Sequence, residues 1–319
     1  MNAENKMPLL AIVGPTATGK TELSVRVAQK LGSEIISADS MLIYRCMNIG
    51  TAKPTMAERK GILHHMIDVA DPDEMYNVSI YSRAAGKILK EIHQRHNLPI
   101  LAGGTGLYIK AVIDGYNFSE AGSDPELREK LKNECESLGR EALHERLKKI
   151  DPETASRLHI NDVKRVIRAL EVYYLSGKIL SSSSEKAKQT PYKLLMYGLT
   201  MDREKLYARI EERVDKMISA GLVGEVRDLL SRGYSENLTS MQGLGYKEII
   251  LFLKEKISFD EAVELLKKNT RRFAKRQLTW FGRDSRITWI DVGERDIEEV
   301  TSEITQTAEG VLKPASNVF

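Results

Sequence analysis

The sequence predicts an α/β fold: a P-loop parallel sheet flanked by helices, with an all-helical insertion domain. Three observations predict it. The stretch Ile12–Thr21, IVGPTATGKT, fits G-x-x-x-x-G-K-[ST] between an apolar run and a helical pattern. Apolar runs alternate with amphipathic helical spacing as far as Gly115, the signature of strands covered by helices on both faces. Past Gly115 the apolar spacing is helical throughout until about Gly177, with no convincing strand.

The elements follow in order. The run PLLAIVG, residues 8–14, is a buried strand rather than a signal peptide, because it leads straight into the phosphate motif. Leu23, Val25, Val27 and Leu31 mark the next helix, and SEIISA, residues 33–38, a second strand ending at Asp39. Helical spacing over 79–97 precedes a third strand, Leu98–Gly104, which breaks into the turn Gly103-Gly104-Thr105-Gly106 before another helix. The insertion opens at Asp124-Pro125 and is broken at Gly139 and Asp151-Pro152. It closes on Ser181–Ser184 and EKAKQT, a polar patch expected to be mobile. A strand resumes at Tyr192–Leu199, helices fill 203–282, and Ile287–Asp291 is a last strand before a C-terminal helix. The domains are therefore 1–117 with 192–319 for the core, and 118–191 for the insertion. No internal repeat occurs. The pairs His64-His65 and Trp280-Phe281 read as packing or turn residues, having no metal-ligand partners at suitable spacing.

Composition narrows the class. A chain of 319 residues, 42% hydrophobic, can bury one large core or two unequal ones. A net charge of +3 is too mild to indicate a nucleic-acid partner by itself, so the placement of the bases must decide. Cys46 and Cys135, far apart and without a C-x-x-C pair, disfavour a disulfide framework and a zinc site and fit a reducing cytosol. No apolar run approaches the roughly 18 residues of a membrane span.

The chemistry begins with Gly14, Pro15, Thr16, Ala17, Thr18, Gly19, Lys20 and Thr21. Backbone N–H groups of such a loop surround a phosphate beside the positive end of a helix; Lys20 neutralises phosphate oxygens and Thr21 ligates Mg²⁺ through its hydroxyl. An ATPase usually has a second strand of four apolar residues ending in a metal-binding Asp, and that strand is poorly matched here. Asp39 is the nearest carboxylate at a strand tip. In an open parallel sheet it faces the same crevice, as a metal ligand, as a base, or merely as the cap of its own turn. Thr105 either caps the helix after it or binds a polar ligand, and glycines 103, 104 and 106 permit a close backbone approach there. Basic residues cluster at Lys164, Arg165 and Arg168, and again at Lys267, Lys268, Arg271, Arg272, Lys275 and Arg276. The second set forms two i,i+4 rows, 267–271–275 and 268–272–276, with no acid between Leu265 and Arg283; it is either a polyanion site or a solvated face.

Taken together, GPTATGKT, ISADSMLIYRCMNIGTAKP, HHMIDVADP, LAGGTGLYIKA, NDVKRVIRALEVY, GLGYKEI and TRRFAKRQLTWF run in order across most of the chain and resemble the tRNA dimethylallyltransferase (tRNA isopentenyltransferase) family, of bacterial type. The resemblance implies transfer of the prenyl group of dimethylallyl diphosphate to N6 of an adenosine next to the anticodon, in tRNAs reading codons that begin with U. It implies that Thr16–Thr21 hold the donor diphosphate with Mg²⁺, that Asp39 takes the N6 proton, and that Arg213, or alternatively Arg209, stabilises the leaving group with Lys20. It implies a tRNA face made of Asp39, Ser40, Met41, Leu42, Thr105, Arg128, Lys164, Arg165, Val166, Ile167, Arg168, Gln242, Gly243, Leu244, Gly245, Tyr246, Lys247, Arg272 and Arg276, with the insertion gripping the anticodon stem. Leu42 stands where many members have Gln, and the Cys/His finger of eukaryotic members has no counterpart. A cytoplasmic monomer is the expected state. The rival readings are an adenylate isopentenyltransferase, which has no need of the insertion and the basic rows, and a P-loop small-molecule kinase, whose Arg-rich lid has no counterpart here.

Overall fold

The structure, a computed structural model, describes residues 6–115, 122, 124–183 and 190–312. Six strands form one parallel sheet: β1 (Met7–Val13), β2 (Glu34–Ser37), β3 (His64–His65), β4 (Pro99–Gly103), β5 (Tyr192–Thr200) and β6 (Thr288–Asp291). Their order is β3-β2-β4-β1-β5-β6, every pairing being parallel. The chain steps one way from β1 to β2 and the other way from β4 to β5, so the order reverses between β1 and β4. The crevice at the carboxyl ends of those two strands is where such sheets bind ligands.

The alternation of β1 shows how the sheet is buried on both faces. Leu9, Ala11 and Val13 enter one apolar cluster; Leu10 and Ile12 enter a second. The first is covered by α3 (Val78–Gln94), α4 (Gly106–Ile113), α11 (Leu222–Ser231), α12 (Tyr246–Leu253) and α13 (Phe259–Phe281). The second lies under α1 (Lys20–Leu31) and α14 (Ile297–Leu312). Short α2 (Met56–Arg59) is closed by a capping box from Thr55, and α10 (Arg203–Ser219) starts on the Asp202 carboxylate.

Two compact units emerge, Met1–Asp114 with Thr190–Phe319, and Gly115–Gln189. The second contains α5 (Pro125–Leu138), α6 (Arg140–Ile150), α7 (Pro152–Arg157), α8 (Val163–Ser176) and α9 (Leu180–Ser183). Asp124 and Asp151 cap α5 and α7 ahead of an N1 proline. Leu131, Leu143, Leu147, Val166 and Leu170 form this unit's own core. The expected 117/118 boundary and residues 184–189 of the polar patch lie outside the described residues, while Ser181, Ser182 and Ser183 of that patch belong to α9 rather than to a mobile segment.

Another expectation needs correction. Of the packing or turn roles read for His64 and His65 the turn fails: they are the half-buried edge strand β3, pairing with Ile35 and Ile36, and the His65 Nε2 lies 2.7 Å from a Glu34 carboxylate oxygen. Two residues are too few to display an alternating pattern.

Candidate active site

The phosphate loop leaves β1 at Val13 and enters α1 at Lys20. Gly14 is obligatory: its φ is 139°, and a Cβ there would lie 2.6 Å from the Leu199 carbonyl oxygen of β5. Ala17, at φ 67°, and Gly19, at φ 85°, complete the curl of the loop. Ala17 holds a conformation that costs a non-glycine residue energy, the kind of strain that collects at ligand sites. The Thr18 hydroxyl donates to the Pro15 carbonyl at 2.9 Å, and the Lys20 ammonium also donates to it, so the lysine curls back on its own loop.

The loop forms one end of a cavity of about 390 Å³. Asp39 follows β2, Thr105 follows β4 and Arg213 comes from α10; all three reach it. Burial, with the Arg213 guanidinium nearby, lowers the Lys20 ammonium from 10.5 to about 7, against the opposing pull of Asp39. Burial also lowers Arg213, again opposed by Asp39. Among the described residues neither cation makes a direct ion pair. The buried Arg213 and Lys20 thus face a single carboxylate, and an entering anion would favour the charged form of Lys20. Arg209, the alternative to Arg213, is exposed on α10 and does not line the cavity.

Asp39 caps its own turn and also faces the cavity. One carboxylate oxygen accepts the Met41 N–H at 2.8 Å and so caps its turn, while the side chain lines the cavity. Thr105 does not cap α4 with its side chain. Its hydroxyl accepts the Ser40 N–H at 3.0 Å and lies 3.3 Å from the Ser40 hydroxyl, which ties the turn after β4 to the turn after β2.

The glycines of that turn accommodate protein. A Cβ on Gly103 would come within 2.2 Å of the Ala38 carbonyl, one on Gly104 within 2.2 Å of the Gln277 amide, and one on Gly106 within 2.2 Å of the Trp280 ring. Gln277 and Trp280 both belong to α13, and Gly103 and Gly104 also reach the cavity.

Met41, Val214, Met217, Leu244, Leu266 and Phe273 give the cavity an apolar wall, and Lys247 and Arg276 bring positive charge to it. The two basic rows of α13 differ. Lys267 pairs with Asp215 at 2.8 Å and Arg271 with Glu211, both acids lying on α10. Neutralisation therefore comes from a neighbouring helix that the α13 sequence could not display. Lys268, Arg272 and Arg276 are exposed.

The other expected RNA contacts differ in exposure, and three of them have buried side chains. Tyr246 is fully buried; its ring fills the space over Gly50 and its hydroxyl donates to Glu225 at 2.6 Å. Val166 and Ile167, 1% and 8% exposed, are core residues of the insertion and present no side-chain surface to RNA. Arg128 and Arg168 clasp buried Glu171, at 2.8 and 2.5 Å, while Lys164 and Arg165 are exposed. Gln242, Gly243 and Leu244 line the cavity with Ser40 and Leu42; Gly245, at φ 92°, lies behind them as the N-cap of α12.

Two residues were missed. Glu225 accepts the N–H groups of Asn48, Ile49 and Gly50 at 2.8, 2.8 and 3.0 Å and so fixes the loop that contributes Gly50, Thr51 and Ala52 to the cavity. Gln277 was legible in principle. It takes a core position on the α13 stripe of Ala262, Leu266, Ala274 and Phe281, where a lone amide asks for a partner.

A six-stranded parallel sheet flanked by helices, with a strained glycine-rich loop opposite a carboxylate at its switch point, defines an α/β protein. Residues 42–284 match the model of IPP transferase. A Pelotomaculum thermopropionicum protein described as tRNA dimethylallyltransferase is 57% identical over 315 residues, 98% of this chain and 100% of that one. The solved full-length tRNA isopentenylpyrophosphate transferase of Bacillus halodurans aligns with a TM-score of 0.74 at 45% identity, over 96% of this chain and 97% of that one. A eukaryotic dimethylallyltransferase solved acting on tRNA aligns with a TM-score of 0.80 at 29% identity, over 95% and 78%. The chain belongs to the IPP transferase family.

Proposed function

We propose that this protein transfers the dimethylallyl group of dimethylallyl diphosphate to N6 of the adenosine next to the anticodon, in cytoplasmic tRNAs that read codons beginning with U. The observation that carries the reading is Lys20 and Arg213 confined opposite Asp39, in a cavity that also has an apolar wall and a basic edge. The loop N–H groups, Lys20 and Arg213 receive the diphosphate, and the wall of Met41, Met217 and Phe273 receives the five-carbon chain. The adenosine enters unstacked, at a cost of about a few kcal/mol that contacts elsewhere on the RNA offset. Its N6 attacks C1 of the donor as the C1–O bond breaks. The N6 proton passes to the free oxygen of the Asp39 carboxylate, while the bond's electron pair leaves with diphosphate. Charge growing on the leaving group strengthens its hold on Lys20, Arg213 and the loop.

Thr21 suits Mg²⁺. Its hydroxyl lines the cavity at the start of α1 and makes no hydrogen bond among the described residues, which also hold no group of three or more His, Cys, Asp or Glu able to bind a metal alone. The metal when bound would therefore depend on donor oxygens together with Thr21, adding positive charge to the leaving group. Exposed Lys268, Arg272 and Arg276 favour RNA over a free nucleotide as acceptor.

Incubation with labelled dimethylallyl diphosphate and either unmodified tRNA, AMP or ATP tests the reading. Label is expected in tRNA alone; label in AMP would replace the acceptor, and label in none would remove the activity.

A further inference from the structure

Gln277 joins three parts of the site through one buried amide. It is 5% exposed. Its Oε1 accepts the Thr16 N–H of the phosphate loop at 2.9 Å, and its Nε2 donates to the Gly104 carbonyl at 2.9 Å. Gly104 begins the turn whose next residue, Thr105, holds Ser40 beside Asp39. A continuous hydrogen-bonded path therefore runs from the phosphate loop, through a side chain of α13, to the turn of the carboxylate. Resting on the reading above, we propose that Gln277 is a positioning residue that sets the donor loop in register with Asp39.

The chemistry of the two partners dictates the residue. One side requires an acceptor and the other a donor, and only a neutral amide of this length supplies both in one plane. A carboxylate satisfies Thr16 but opposes the Gly104 oxygen. A thioether satisfies neither and leaves the part-buried Thr16 N–H and the buried Gly104 carbonyl unpaired. The Ala17 conformation and the Thr18–Pro15 bond shape the loop from within; Gln277 anchors it from outside.

The consequence is measurable without turnover, by calorimetric binding of inorganic diphosphate with thermal melting as the check on folding. Gln277→Met is expected to bind diphosphate about tenfold more weakly than wild type at every pH. In Gln277→Glu the deficit relative to wild type narrows as pH falls, because a protonated carboxyl donates to Gly104 again, and it widens as pH rises. With substrates, both variants should raise the donor KM and lower kcat with little change in the tRNA KM. Gly104→Ala, whose Cβ strikes the Gln277 amide, should weaken diphosphate binding in wild type but add nothing in a Gln277→Ala background. Folded Gln277 variants that bind diphosphate as wild type does, or a Gln277→Glu deficit that ignores pH, overturn the proposal. Wild type that binds no diphosphate overturns the donor site itself, a separate outcome.

Discussion

Lys20 and Arg213 stand in the cavity with no direct ion pair among the described residues, whereas Glu171 in the helical insertion holds Arg128, Arg168 and the Asp124 N–H at once. Burial would raise the Glu171 carboxyl, yet Arg168, the Asp124 N–H and Arg128 outweigh it and keep it below the usual range. In the cavity burial prevails and lowers Lys20 to about 7. The contrast separates two uses of buried charge. Charge balanced within the chain maintains shape, and charge left unbalanced awaits a ligand.

The sharpest way to break the contrast is Asp39→Asn, which keeps the Met41 contact and removes the base. A fall in kcat of about 10²- to 10⁴-fold is expected, with tRNA affinity little changed. Rapid-quench turnover beside filter binding measures both; lost binding with surviving kcat would make Asp39 a capping residue only. Lys20→Ala comes next, with activity down about 10²-fold and the melting temperature unchanged or raised. Near-normal transfer by that folded variant would remove the diphosphate site.

Glu171→Ala probes the other side. It removes the acceptor shared by two part-exposed arginines and the Asp124 N–H and should destabilise the insertion by about 1–2 kcal/mol, read by denaturant melting, while diphosphate binding persists. Because the folded Glu171 carboxyl lies below its unfolded value, its stabilisation is full at neutral pH and declines as pH falls below the unfolded pKa near 4.5.

A smaller effect concerns protons. Free Lys20 is largely neutral above pH 7 and must be charged to meet a diphosphate, so binding at pH 8 should take up as much as one proton. Affinity then falls by up to about tenfold per pH unit. Calorimetry in two buffers of different ionisation enthalpy measures the uptake, and equal heats would contradict it.

The smallest effect sets one row of α13 against the other. Replacing Lys268, Arg272 and Arg276 by Gln should flatten the log–log salt dependence of tRNA binding by up to about 0.7 to 0.9 per lost phosphate contact. The same change at Lys267, Arg271 and Lys275 should barely alter it, since Asp215 and Glu211 already engage two of the three. Equal slopes in both variants would erase the distinction between the rows.

Much of this was legible along the chain. The motif fixed the phosphate loop, and period-2 and period-3.6 spacing located five of the six strands and the helices between them. Lys20, Asp39 and Thr105 stood out because strand tips in a parallel sheet share one crevice. What escaped depends on neighbours distant in sequence. The pairing of β3 rests on two residues, the acids facing Lys267 and Arg271 lie on α10, and the close neighbours of the glycines at 103, 104 and 106 are Ala38 and residues of α13. Tyr246 and Val166 sit in motifs that resemble an RNA surface, yet only packing reveals that their side chains point inward.

The Thr190 hydroxyl donates to the Ile113 carbonyl at 2.7 Å, so the chain is fastened at the place where it departs for the insertion and returns. An excursion whose mouth is already closed imposes on the sheet a loop entropy that grows only slowly with its length. Helices added or removed beyond that clasp are therefore expected to leave β1 and β5 paired in the present register. In engineering terms the clasp marks the excursion as a separable cassette, whose length is expected to change without moving the reacting centre.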